Sequence, residues 1–251
     1  METVSAFLFN GLEPTVGIFL AVMSFVSSFI TVALGIGGGG LLLAVMANLV
    51  PPLALIPVHG AIQFGSNFFR AAILIRHTYW KPFAAFALGT VIGVVLGGSV
   101  VVNLPPALVQ IGVGLFVIWS VLARPPKWLA SWPWLTGLIS SFLSMFFGAT
   151  GLFVANFTKS LHLPRQRHVA THAVFMTLQH VAKTIAFGAL GFAFAPWAGF
   201  MLMMIACGFL GTVAGRLLLE RMSDHNFKRA LNIVLILISL RLIWNGLSSY
   251  F

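Results

Sequence analysis

The sequence predicts an all-alpha polytopic membrane protein, and three observations carry that expectation. Of 251 residues, 59% are hydrophobic and only 7% charged, where an average soluble domain has roughly 25% charged residues. Apolar stretches of about 20 residues recur, each long enough to cross about 30 Å of hydrocarbon as a helix. The strand-length alternation that a membrane barrel needs is absent.

Taken in order, strong hydrophobic segments run at about 15–35, 54–75, 82–102, 106–123, 132–148, 169–190, 196–218 and 228–247. The chain starts METVSAFLFNGLEP, with Glu2 and Glu13 and no basic stretch, so it does not read as a signal peptide and the first span is expected to stay. Two shorter apolar pieces, about 39–50 and 151–161, follow glycine breaks at Gly35-Ile36-Gly37-Gly38-Gly39-Gly40 and Gly148-Ala149-Thr150-Gly151. Glycine runs weaken a helix and let the backbone bend or approach a partner. Pro51-Pro52 ends the first short piece, and Pro164 follows the second. Tryptophans such as Trp80, Trp119, Trp197 and Trp244 fall at segment ends, as interfacial anchors do. The single cysteine, Cys207, lies in an apolar segment and reads as a packing residue.

The halves match at an offset of 113 residues: Ser27-Ser28-Phe29 with Ser140-Ser141-Phe142, Gly35 with Gly148, Gly38 with Gly151, His59 with His172, and Arg70 with Lys183. Rare residue types agree, which makes residues 1–123 and 132–251 two transmembrane repeats joined by a basic linker, 124–131. Matching loops carry opposite charge bias. Arg76 and Lys81 fill a loop whose counterpart near Gly191–Pro196 is uncharged, whereas Lys159, Arg165, Arg167, Arg221, Lys228 and Arg229 fill the counterparts of neutral loops. Opposite bias is what halves of opposite orientation would show. Inversion needs an odd number of crossings per half. The expectation is therefore two inverted repeats, eight long hydrophobic helices plus two short helices after the glycine breaks, five plus five. Eight plain spans remain the alternative, and the short pieces cross or re-enter the membrane.

Function is read from polar residues inside these segments. His59, Gln63, Asn67 and Arg70 are spaced four, four and three apart and share one helix face. The counterpart stripe carries His172, Met176, Gln179, His180 and Lys183. An ionisable residue inside a span is by default a site candidate. The structural alternatives are snorkelling of Arg70 and Lys183 to an interface, histidines satisfied by backbone carbonyls, and amides that bond neighbouring helices.

Acids are missing from every span core: Glu2 and Glu13 precede the first, and Glu220 and Asp224 sit in a basic loop. A pathway for metal cations offers carboxylates or carbonyls, whereas this chain offers cations and amides, so a small anion is the better-matched cargo. Short helices starting at Gly37, Gly38, Gly39 and Gly40, and at Thr150 and Gly151, present unpaired N–H groups and the positive dipole end, which suits an oxyanion at membrane depth. No cofactor, metal or catalytic group is expected. The histidines lack acid or cysteine companions, no nucleophile–base element is legible, and the glycine run lacks the setting of a nucleotide loop. The net charge of +10 sits mostly in short loops, so the membrane and not nucleic acid is its partner.

The run Ala33-Leu34-Gly35-Ile36-Gly37-Gly38-Gly39-Gly40, the proline and His59 region after it, the Gly89–Gly98 span and the layout through Trp244-Asn245 resemble the sulfite exporter TauE/SafE family of membrane permeases, grouped with toluenesulfonate uptake permeases. The resemblance covers nearly the whole chain. It implies secondary transport of sulfite or an organosulfonate across a bacterial inner membrane. The second glycine break, Gly148-Ala149-Thr150-Gly151-Leu152-Phe153, is poorer in glycine than the family pattern. Alternating access around the two polar stripes is the expected mechanism. Proton coupling is suggested by His59 and His172, since free histidine titrates near pH 6.5. A carrier or channel for a carboxylate or a non-sulfur inorganic anion is the alternative.

Overall fold

The computed structural model describes residues 7–34, 37–101, 105–123, 131–217 and 225–248. Gly35-Ile36, most of the basic linker, and Glu220, Arg221 and Asp224 lie outside the described residues, as do the side chains of Lys228 and Arg229. The α-helices, in chain order, are α1 (Pro14–Leu34), α2 (Gly38–Met46), α3 (Pro52–Leu74), α4 (Phe83–Val101), α5 (Pro106–Leu122), α6 (Pro133–Phe147), α7 (Gly151–Ser160), α8 (Arg165–Ala189), α9 (Ala198–Arg216) and α10 (His225–Ser248). No strand occurs among the described residues.

Helix boundaries follow local chemistry. Proline occupies the first turn of α3, α5 and α6, where a missing N–H costs nothing and the fixed φ favours entry. Gly37 (φ 105°) precedes α2, and Gly148 (φ 73°) ends α6; both conformations favour glycine. The nine-residue α2 is buried from Leu41 to Met46. A helix apolar on all sides belongs in the interior, and α2 forms the heart of the largest core cluster with Leu20, Leu55, Ile56, Ile62, Phe200 and Met204.

Four packings organise the bundle: α1 on α9, α4 on α6, α3 on α8 and α5 on α10. The first two are close and parallel. A Cβ at Gly89 would lie 1.8 Å from the carbonyl oxygen of Trp134, and one at Gly93 would lie 2.2 Å from that of Leu138. On the other pair, a Cβ at Gly211 would lie 2.1 Å from the oxygen of Phe25. Small residues at four-residue spacing let membrane helices pack backbone to backbone, where lipid offers no hydrophobic drive for association. The other two packings are antiparallel: Gly60 faces Lys183 while Leu74 clusters with Ala170, and Gly114 faces Ile243 while Gly246 faces Ile111. Replacing each helix by the one five places along maps these four packings onto themselves.

The span count differs from the expectation. Only Pro14–Ala33, Phe83–Val101 and Ala195–Arg216 are helices long and apolar enough to cross a bilayer among the described residues, with shorter apolar helices at Ala107–Leu122, Pro133–Phe147 and Asn232–Ser248. Eight long hydrophobic helices plus two short ones are therefore not present, and the five-plus-five inverted arrangement built on that number falls with them. The physical reasons are two. Pro133 and Gly148 trim α6 to 15 residues, and α5 stops at 17. Helices α3 and α8 are long, at 23 and 25 residues, but their polar stripes and the basic first turn of α8 lower their hydropathy.

Candidate functional site

Helices α3 and α8 carry the two polar stripes into the interior, and the start of α2 and the start of α7 close on them. Between these elements lies a cavity of about 340 Å³, room for a small oxyanion with several waters at roughly 30 Å³ each. Of the residues singled out in the sequence, Gly37, Gly39, Gly40, His59, Gln63, Asn67, Gly151, His172 and His180 line it. Both glycine-started helices thus turn their N-terminal ends toward the same space.

The remaining candidates are close by but face elsewhere. A Cβ at Gly38 would fall 1.7 Å from the carbonyl oxygen of Ser27, so Gly38 serves the contact between α2 and α1. Gln179 donates to the carbonyl of Ser140 at 3.1 Å and to the Thr150 hydroxyl at 2.6 Å, stitching α8 to α6 and to the second glycine break. Arg70 is 1% exposed and donates to Asn67 Oδ1 at 3.1 Å and to Ser66 Oγ at 3.4 Å. Lys183 is 0% exposed and donates to the carbonyl of Gly148 at 3.1 Å. Neither cation snorkels. Of the four acids only Glu13 is among the described residues, exposed at the start of α1, so neither cation has a carboxylate partner there.

The histidines divide their two nitrogens. His59 Nε2 lies 3.1 Å from the carbonyl oxygen of Gly39, and His172 Nε2 lies 3.3 Å from that of Gly151. A carbonyl only accepts, so each Nε2 carries the hydrogen. The Gln63 amide nitrogen 3.4 Å from His59 Nε2 therefore sets donor against donor and is a contact, not a bond. The structural alternative of carbonyl-satisfied histidines describes these Nε2 atoms. It leaves His59 Nδ1 buried without a partner, and His180 Nδ1 is likewise without one. A buried polar atom without a partner costs about 1–3 kcal/mol, and both these residues line the cavity.

Similar contacts occur on both stripes, each with its partner one residue out of register with the offset of 113: His59 with the Gly39 carbonyl and His172 with that of Gly151, and Ser66 with Ser28 (2.9 Å) and Gln179 with Ser140. Sequence reasoning missed Thr31, Ser120 and Asn232, which also line the cavity. Asn232 carried the fainter signal, as an amide in the last long segment; Ser120 carried none. Among the described residues no acid lines the cavity, and no three His, Cys, Asp or Glu gather as a metal site.

No curated protein and no solved structure matches the chain. The profile of the family described as "Sulfite exporter TauE/SafE" matches residues 20–242. With that match over most of its length, the chain belongs to the sulfite exporter TauE/SafE family, and is a multi-pass membrane transporter of a small anion, not an enzyme.

Proposed function

We propose that the protein carries sulfite or an organosulfonate across a bacterial inner membrane by alternating access, and that the 340 Å³ cavity is its anion site. The observation that carries this reading is the convergence of two helix N-termini, at Gly39–Gly40 and Gly151–Leu152, on a cavity lined by imidazoles and amides and, among the described residues, by no carboxylate. Unpaired N–H groups and the positive dipole end stabilise an anion. The unpartnered Nδ1 atoms of His59 and His180 supply the independent sign that a ligand completes the site: either nitrogen, once protonated, would donate to an oxyanion. Each half, 1–123 and 132–251, contributes one short helix and one stripe.

Gly37, Gly38, Thr150 and Gln179 shape the two half-sites, while Asn67 and Gln63 offer amide donors. Arg70 acts from behind the wall as fixed positive charge in a low-dielectric surround, where a charge is felt strongly, while Lys183 acts through its bond to the Gly148 carbonyl. The test is flux of radiolabelled sulfite into proteoliposomes, beside sulfoacetate, sulfate and acetate, with a His59→Ala, His172→Ala double variant. Saturable sulfite or sulfoacetate flux, reduced at least tenfold in a variant that remains folded, is the expected result. Flux of acetate or sulfate alone would move the substrate away from sulfur, and no flux of any of the four would end the reading.

A further inference from the structure

A second cavity, about 280 Å³, lies at the other end of the same helices. Its lining is apolar: Pro52, Ile56 and Pro57 on α3, Met145 and Phe146 on α6, and Phe187 on α8 among others. Helix α5 measures the separation. Val109, near its start, lines the second cavity, and Val121, near its end, lines the first; twelve residues at 1.5 Å each put them about 18 Å apart along the axis. The first cavity lies where α1 and α5 end, beside the basic first turn of α8, whose Arg165 donates to the carbonyl of Ala33. The second lies at the opposite end, beside Leu190 and Gly191.

Besides α5, three segments carry residues of both cavities, and each changes over within seven residues. On α3 the change falls between Pro57 and His59, after α6 between Phe146 and Ala149, and on α8 between His180 and Phe187. Lys183 sits at that division. Its ammonium donates to Gly148 on the second segment, and its Cε would lie 2.8 Å from a Cβ placed on Gly60 of the first. The side chain of Ile56, which lines the second cavity, would lie 3.1 Å from a Cβ placed on Gly148.

We propose that the second cavity is the opposite access vestibule of the anion site, and that the contact between Lys183 and the Gly148 carbonyl is the barrier between the two. This rests on the reading of the first cavity as the anion site. With the ammonium on Gly148 the site opens only toward the basic end. An anion is a stronger partner for an ammonium than a neutral carbonyl is, because both sides of the bond are then charged. An anion advancing between α3 and α8 takes the ammonium from Gly148 and frees the Gly148 turn to move. Among the described residues the apolar far vestibule carries no competing charge, so the anion leaves it and Lys183 returns to Gly148.

Two experiments separate this from the transport reading itself. In a Cys207→Ser background, Val109→Cys and Val121→Cys are labelled with a membrane-impermeant maleimide in right-side-out and inverted membrane vesicles. Labelling of the two positions from opposite faces is expected, and labelling of both from one face would overturn the vestibule; neither result depends on the identity of the anion. Lys183→Met, of similar length and no charge, is then compared with Lys183→Arg in sulfite binding by calorimetry on purified protein and in sulfite flux in proteoliposomes. Lys183→Met is expected to bind sulfite within about threefold of the parent and to lose flux at least a hundredfold, with partial recovery in Lys183→Arg. Unchanged flux, or loss of binding in parallel with flux, would overturn the barrier role. A parent protein that neither binds nor moves sulfite would remove the sulfite reading and leave the labelling result to decide the vestibule.

Discussion

The imidazoles of His59 and His180 meet edge to face across the cavity, ring centroids 6.2 Å apart, and each has a buried Nδ1 with no partner. His59 belongs to α3 and His180 to α8, so one pair of unpartnered ring nitrogens joins the two helices beside the cavity. Lys183 follows His180 by three residues and donates to the carbonyl of Gly148.

That pair leads to a prediction about coupling. If a proton travels with the anion, a pH gradient imposed across proteoliposomes drives sulfite uphill in the parent protein. His180→Gln, which keeps size and polarity without a titratable ring, then loses uphill accumulation while retaining exchange of sulfite at equal pH. Accumulation that survives in His180→Gln and also in His59→Gln would remove these residues from proton movement.

A second prediction concerns Arg70. Its guanidinium depends on Asn67 Oδ1 and Ser66 Oγ, and its Nε already lacks a partner. Asn67→Leu removes the shorter of the two bonds and leaves the charge more poorly satisfied, at a cost of about 1–3 kcal/mol. Thermal unfolding in detergent is expected to fall accordingly, and an unchanged midpoint would show that Arg70 finds other partners.

Glycine positions separate packing from site geometry. Gly93→Leu forces a side chain into the carbonyl of Leu138 across α4 and α6, and is expected to cost about 3 kcal/mol, the upper part of the overpacking range. Gly37→Ala must hold φ 105°, a strain of about 1–2 kcal/mol for a residue with a Cβ. At Gly40 nothing lies within 4 Å of an added Cβ, so Gly40→Ala is expected to unfold at the parent's temperature. Equal stability of all three variants would contradict the packing described.

Gln179 gives the fourth prediction. Gln179→Leu leaves the Ser140 carbonyl and the Thr150 hydroxyl without their donor, loosening the turn that presents Gly151 to the cavity. Sulfite KM is expected to rise about tenfold, equivalent to about 1.4 kcal/mol, with a smaller change in maximal rate. A rate loss at constant KM would place the effect on the conformational cycle instead.

Composition and spacing by themselves determined the membrane setting, the two polar faces and the matched glycine breaks. Hydrocarbon forces apolar length, and a period of 3.6 puts His59, Gln63 and Asn67 on one side of α3 whatever surrounds it. The absence of acids from the apolar segments, and so the preference for an anion, was legible in the same way. The number of full spans was not, because a hydropathy run does not show where Pro133 and Gly148 cut α6 or how far the stripes of α3 and α8 lower their apolarity. Nor could spacing separate cavity residues from their supports. Arg70 and Lys183 share faces with His59 and His180, yet one turns to Asn67 and Ser66 and the other to Gly148. Only the packing of α3 against α8 decided that, since a buried cation must take whichever oxygens the neighbouring helices bring within reach.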